Sequence, residues 1–216
     1  LQNDLTYLRD KFKGSLRGTL EFEVSRDNVF EEMIATFKKR TSNNKNLEIT
    51  FKGEDATGEG VTRDALSLFF EKVYQLFDGE NEKVPGFDVD LEEEILTIIG
   101  TVITQAFVQF GTFPYKLCRA ALKYHLYDSN DDQILMASYL NYIANREAAM
   151  IQSFRNNANS HDDIQPILDV LSEGKVYAKP TSENISELCL KIRPHPTLFS
   201  ERDVAAPWVS WWLRKR

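Results

Sequence analysis

Residues 47–74, LEITFKGEDATGEGVTRDALSLFFEKVY, restrict the fold more than any other stretch, because the apolar period changes midway through them. Leu47, Ile49 and Phe51 alternate with Glu48, Thr50 and Lys52, the two-residue period of a half-buried strand. Gly53, Gly58 and Gly60 then mark a turn or open loop, since glycine accepts a positive φ at little cost. From Thr62 onward the apolar positions are Ala65, Leu66, Leu68, Phe69, Phe70, Val73, Tyr74, Leu76 and Phe77, and spacings of three and four put most of them on one wide helical stripe. The order is strand, loop, helix. A glycine loop ahead of a helix invites a phosphate, because helix N-termini attract anions. Glu54, Asp55 and Glu59 argue against that use, and no Gly-Lys-Ser/Thr follows.

Upstream, Leu20, Phe22 and Val24 alternate with Glu21 and Glu23, which predicts a second short strand. Ser25-Arg26-Asp27-Asn28 follows and leads into a helix carrying Val29, Phe30, Met33, Ile34 and Phe37. Asp27 is the expected N-cap, with Glu31 and Glu32 in the first turns and Lys38, Lys39 and Arg40 at the far end, the favourable sense for the helix dipole. Downstream, residues 77–85 read as a polar turn. Asp90 is the expected cap of a long helix over residues 91–110, with Glu92, Glu93 and Glu94 in its first turn. That helix is apolar nearly all round after Ile95, so it is expected to be the central buried one.

Three of these stretches together resemble the HECT ubiquitin-ligase domain. Phe51-Lys52-Gly53-Glu54 followed by Gly60-Val61-Thr62-Arg63-Asp64 is similar to its strand, Gly/Asp-rich loop and helix signature, with Asp64-Ala65 standing for Glu-Phe. Val24-Ser25-Arg26-Asp27 ahead of a helix resembles the opening of the same domain. Ile99-Gly100, with Thr104 and Ala106 after it, resembles an Ile/Leu-Gly-x-x-Leu-Gly-x-Ala helix in which Thr104 replaces the second glycine. The resemblance covers roughly residues 20–143.

Length and composition fit a globular domain. The chain has 216 residues, 42% of them hydrophobic and 27% charged, enough to bury a sizeable core. A net charge of −7 disfavours a nucleic-acid surface. Two cysteines make no disulfide framework and suggest a reducing compartment, so a cytoplasmic or nuclear protein is expected. No apolar run approaches the roughly 18 residues of a membrane span. The first residue is not Met, and a fragment of something longer is expected.

The rest of the chain reads as helices and breaks. Residues 1–18 predict a leading helix ending near Gly14. Residues 111–114 break the long helix, and residues 115–126 restart as an amphipathic one that buries Cys118. Residues 129–147 predict one helix capped by Asp131, and residues 155–160 a linker. Ser160 and Asp163 resemble a capping box opening a helix over residues 164–171, ended by Gly174. A last short helix is expected over residues 181–192, before Pro194 and Pro196. Trp208, Trp211 and Trp212 crowd the tail ahead of Arg214, Lys215 and Arg216; a surface that packs on the body or on a neighbouring lobe is the main reading and a membrane-surface anchor the other. The expected organisation is a leading helix (1–18), a HECT N-lobe-like core (19–127) and a helical subdomain with the Trp-rich tail (128–216). The fold class is α+β, predominantly helical, with helices around the long buried one and a few short strands.

The residues themselves offer little chemistry. His125, His161 and His195 lie far apart and lack partners at metal-ligand spacing, so no metal or cofactor is expected. No Gly-x-Ser-x-Gly elbow exists, and no carboxylate pair stands out for acid–base work. HECT ligases form a thioester on a cysteine in a C-terminal lobe, within a Thr-Cys motif. Neither Cys118 nor Cys189 matches it, and the chain stops where that lobe would begin. The resemblance therefore implies the N-lobe, which docks a ubiquitin-charged conjugating enzyme (E2) and positions the catalytic lobe toward a protein substrate. Residues 128–192 stand where the family places its docking subdomain, and Leu135, Met136, Tyr139, Tyr142 and Ile143 are the candidates to line an apolar groove there, with a core role for each as the competing reading. The alternatives are a catalytically dead HECT-like interaction module and an unrelated helical scaffold.

Overall fold

The computed structural model describes residues 2–14, 16–39, 45–85, 92–120, 122–123, 131–156, 164–173 and 175–191. The described chain is mostly helical, with a small parallel sheet and a small antiparallel hairpin, an α+β arrangement. It forms two compact units.

The first unit is built around a parallel strand pair. β1 (Thr19–Val24) and β2 (Asn46–Phe51) run side by side in a register that sets Leu20 opposite Leu47, Phe22 opposite Ile49 and Val24 opposite Phe51. Parallel strands need a crossover, and a 3₁₀ turn (Arg26–Asn28) plus α2 (Val29–Lys39) supply it. The two-residue periods therefore bury one face: Leu20, Val24, Leu47, Ile49 and Phe51 all lie at 3% exposure or less. α3 (Glu59–Leu76) covers that face with α2, and Phe30 of α2 stacks on Phe69 of α3 with ring centroids 5.2 Å apart. Burying such aromatics adds a geometric term to the plain loss of water contact.

α4 (Glu93–Phe110) is the expected buried helix of this unit. Leu96, Ile98, Ile99, Val102, Ile103 and Ala106 leave almost nothing to solvent, and Thr101 and Gln105 are buried with them. Thr101 and Thr104 turn their hydroxyls back onto the carbonyls one turn earlier, Thr97 and Gly100, so these polar groups stay paired inside the helix. Gly111 at φ 69° closes α4 in the left-handed conformation, with Thr112 N–H donating to Ala106 at 3.3 Å. α1 (Gln2–Lys13) lies along α4, and Lys13 Nζ donates to the Gln109 carbonyl at 3.3 Å, a cation at a helix C-terminus that has no basic residue of its own.

Several expected boundaries are corrected here. α3 begins at Glu59, so Gly60 is helical and does not belong to the loop, whose positive-φ glycines are Gly53 and Gly58. Asp27 is not a cap. It sits inside the 3₁₀ turn, and α2 is secured instead by Glu32, whose carboxylate accepts from Ser25 N–H at 2.9 Å and Ser25 Oγ at 3.1 Å. α4 starts two residues later than expected, with Glu92 at its N-cap and no side-chain capping bond, the Glu92 carboxylate accepting instead from Lys38 Nζ at 3.1 Å. Asp90 lies outside the described residues.

The second unit takes residues from two separate parts of the chain. Residues 77–85, expected as a plain polar turn, form a hairpin of β3 (Phe77–Asp78) and β4 (Val84–Pro85). This hairpin belongs with the described residues from Lys116 to Lys191. The described chain thus enters the second unit at 76/77, leaves it after the hairpin and re-enters it at 115/116, where a single boundary at 127/128 was expected. Residues 115–118 are not helical as expected: Leu117 bridges Lys83, whose N–H donates to the Lys116 carbonyl at 2.6 Å while its own carbonyl accepts from Cys118 N–H at 3.0 Å.

The expected helix over 129–147 is two helices, α5 (Asp132–Tyr142) and α6 (Asn145–Asn156), and α6 extends into the segment expected as a linker. Asp131 caps α5 as expected, its Oδ1 accepting from Gln133 N–H at 3.1 Å and Ile134 N–H at 3.3 Å. α7 (Gln165–Glu173) and α8 (Ile185–Lys191) complete the unit. α8 opens on a reciprocal cap, with Asn184 N–H donating to Thr181 Oγ1 at 3.1 Å and Thr181 N–H to Asn184 Oδ1 at 2.7 Å. Ser160, Asp163 and Gly174 lie outside the described residues.

Candidate functional site

Two of the three runs that carry the resemblance meet in the first unit. Arg26, in the turn after β1, reaches the loop and helix that follow β2. Its Nε lies 2.6 Å from Glu54 Oε1 and its Nη2 3.1 Å from Glu54 Oε2, a two-pronged grip, while Nη1 lies 2.7 Å from Asp64 Oδ2. The guanidinium also sits 3.9 Å above the Phe51 ring. Its hydrogen bonds with Glu54 and then Asp64 push the Arg26 pKa further up, and Arg26 in turn holds the Glu54 carboxyl below its ordinary value. Beside it, Lys52 Nζ lies 2.9 Å from both oxygens of Glu32, which lowers that carboxyl as well.

These bonds join stretches that are 28 and 38 residues apart in sequence. The Arg26 donors are directed at carboxylates on three prongs, so the cluster is built to hold a loop between a strand and a helix. The glycines serve the same end, since Gly53 and Gly58 adopt φ of 79° and 100°, which few other residues tolerate. Thr62 completes the seam by accepting from Ile49 N–H at 3.1 Å.

The five candidates for an apolar groove all fall on or just after α5, but they do not share a face. Met136 and Tyr139 point into the larger core of the second unit with Ile151, Leu171, Leu188 and Cys189, and Ile143 packs on the same cluster from a half-buried position. Leu135 and Tyr142 pack on the other side, against Val84, Cys118 and Ala120. α5 is therefore the middle element of its unit, apolar on two faces. Met136 is 4% and Tyr139 9% exposed, which leaves Leu135, Tyr142 and Ile143 as the ones with surface to offer. Burial raises the phenol pKa of both Tyr139 and Tyr142. Trp208, Trp211 and Trp212 lie outside the described residues, as do His125, His161 and His195.

Both cysteines are buried. Cys118 is not in a helix interior, as expected, but directly before the short helical turn at Arg119. Burial pushes the Cys189 thiol up to about 11, so at neutral pH it stays protonated and unreactive.

One arrangement left no mark in the sequence. Glu82, from the β3–β4 hairpin, is 5% exposed. Its carboxylate accepts from Arg119 Nε at 2.6 Å, Arg119 N–H at 3.0 Å and Asn141 Nδ2 at 3.4 Å. Burial works to raise its pKa, and the hydrogen bonds from Ser138 and Arg119 together outweigh it, so the carboxyl stays below its ordinary value. It ties the hairpin, the 116–120 segment and α5 together, through partners so far apart that no local pattern marks it. Exposed aromatics were missed too: Phe113 is 41% and Tyr115 81% exposed, and Tyr115 meets Tyr74 edge-on at 6.1 Å.

Among the described residues no helix is long and apolar enough to cross a membrane. No family model matches the chain, and no curated protein matches it either.

Proposed function

We propose that the chain acts as the N-lobe of a HECT-type ubiquitin ligase, docking a ubiquitin-charged E2 and holding a catalytic lobe in position, in the cytoplasm or nucleus. The observation that carries this reading is Arg26. It links the Arg-Asp turn after β1 to the Gly-Glu loop and the start of α3, so the two most family-like runs form one physical unit. A lobe of this kind contributes proximity, which lowers a barrier without supplying acid, base or nucleophile. Cys118 and Cys189 are both buried, in keeping with a lobe that forms no thioester itself, and the second reading is an interaction module that recruits partners without thioester chemistry.

The test is a binding titration against a panel of ubiquitin-conjugating enzymes. Variants must be chosen by exposure. Met136→Ala and Tyr139→Ala remove core side chains at a cost of about 2–5 kcal/mol, so loss of binding in either would report unfolding. Leu135→Ala and Ile143→Ala, from half-buried positions, are the informative pair. Micromolar binding to one E2, weakened by either variant while the circular dichroism spectrum is unchanged, is the expected result. A folded chain that binds no member of the panel overturns the ligase reading and leaves the interaction module.

A further inference from the structure

We draw no further inference here: the strongest candidate, the exposed Phe113 and Tyr115 after the C-terminus of α4 with the half-buried Tyr74 of α3 against Tyr115, carries nothing because nothing in the structure shows what covers it.

Discussion

Gln109 and Leu47, 62 residues apart, exchange two hydrogen bonds: Leu47 N–H donates to Gln109 Oε1 at 2.7 Å, and Gln109 Nε2 donates to the Leu47 carbonyl at 2.9 Å. The amide side chain thus imitates a neighbouring strand along the outer edge of β2. Thr62 serves the next position on that edge, accepting from Ile49 N–H. An edge strand with open amide and carbonyl groups is a template for pairing with another chain. Here two helices close it with side chains.

Gln109→Ala is therefore expected to lower the unfolding free energy by about 1–3 kcal/mol, the cost of leaving part-buried backbone groups unpaired. It is also expected to raise the tendency to associate. A urea titration with light scattering on the same samples reads both. An unchanged midpoint with a monodisperse solution would show that water replaces the side chain without penalty.

The difference between what could be read from sequence and what could not is visible in the same elements. β1 and β2 announce themselves because each buries a face of regular period, α4 because it is apolar nearly all round, and Asp131 and the break at 111–114 because a cap and a helix stop are local chemistry. The break between α5 and α6 carries no glycine or proline. It is set by the hairpin, whose successive N–H groups at Glu80, Asn81 and Glu82 donate to the Tyr142 and Asn141 carbonyls at 2.8–3.0 Å. A helix end capped by a segment some sixty residues upstream has no local signal. The hairpin is hidden for a related reason: strands of two residues are too short to show alternation. Of the groove candidates, apolar character on α5 was legible. Which face each residue takes was not, because the helix is apolar on both sides.

Arg26 tests the seam between the motif runs. Arg26→Lys keeps a positive charge but loses the two-pronged grip on Glu54 and the planar fit over Phe51. The pairs are about half exposed, so the change in global stability is expected to be small and to shrink further in high salt. The local effect is the informative one. Hydrogen exchange at amides 53–58 is expected to accelerate in Arg26→Lys and further in Arg26→Ala, with the α4 amides unchanged. Equal exchange in all three proteins would mean that the glycines hold the loop unaided.

Gly79 and Gly60 make opposite predictions from one substitution. Gly79 has φ 108°, and a Cβ there would come within 2.1 Å of the Glu82 carbonyl oxygen and 2.7 Å of Tyr142 Cδ2. Gly79→Ala must strain the backbone, at about 1–3 kcal/mol, and in addition push the hairpin off α5. Gly60 lies within α3 with open space around it. Gly60→Ala is expected to stabilise by roughly 0.5–1 kcal/mol, because alanine loses less chain entropy on entering a helix. Thermal melts of the two variants beside the parent decide it, and a Gly79→Ala protein as stable as the parent would contradict the packing described for the hairpin.

Glu82 gives the pH dependence. Its folded carboxyl titrates below its ordinary value, so its contribution is complete above the unfolded pKa of about 4.3 and is lost as pH falls through the folded value. Glu82→Gln removes the charge and turns an NH₂ group toward the Arg119 donors, leaving a part-buried backbone N–H poorly paired. At neutral pH the variant is expected to be less stable by about 1–3 kcal/mol, most of it from the Arg119 amide, since the Arg119 side chain is 61% exposed and can turn to water. The gap between parent and variant should then narrow from about pH 4 downward, because the parent becomes protonated while the variant has nothing to titrate. Other carboxylates add their own slopes to both proteins, and taking the difference of the two denaturation curves at each pH removes them. A gap that stays constant down to acid pH would mean that Glu82 acts through its shape alone, and that its charge contributes nothing to holding the hairpin against α5.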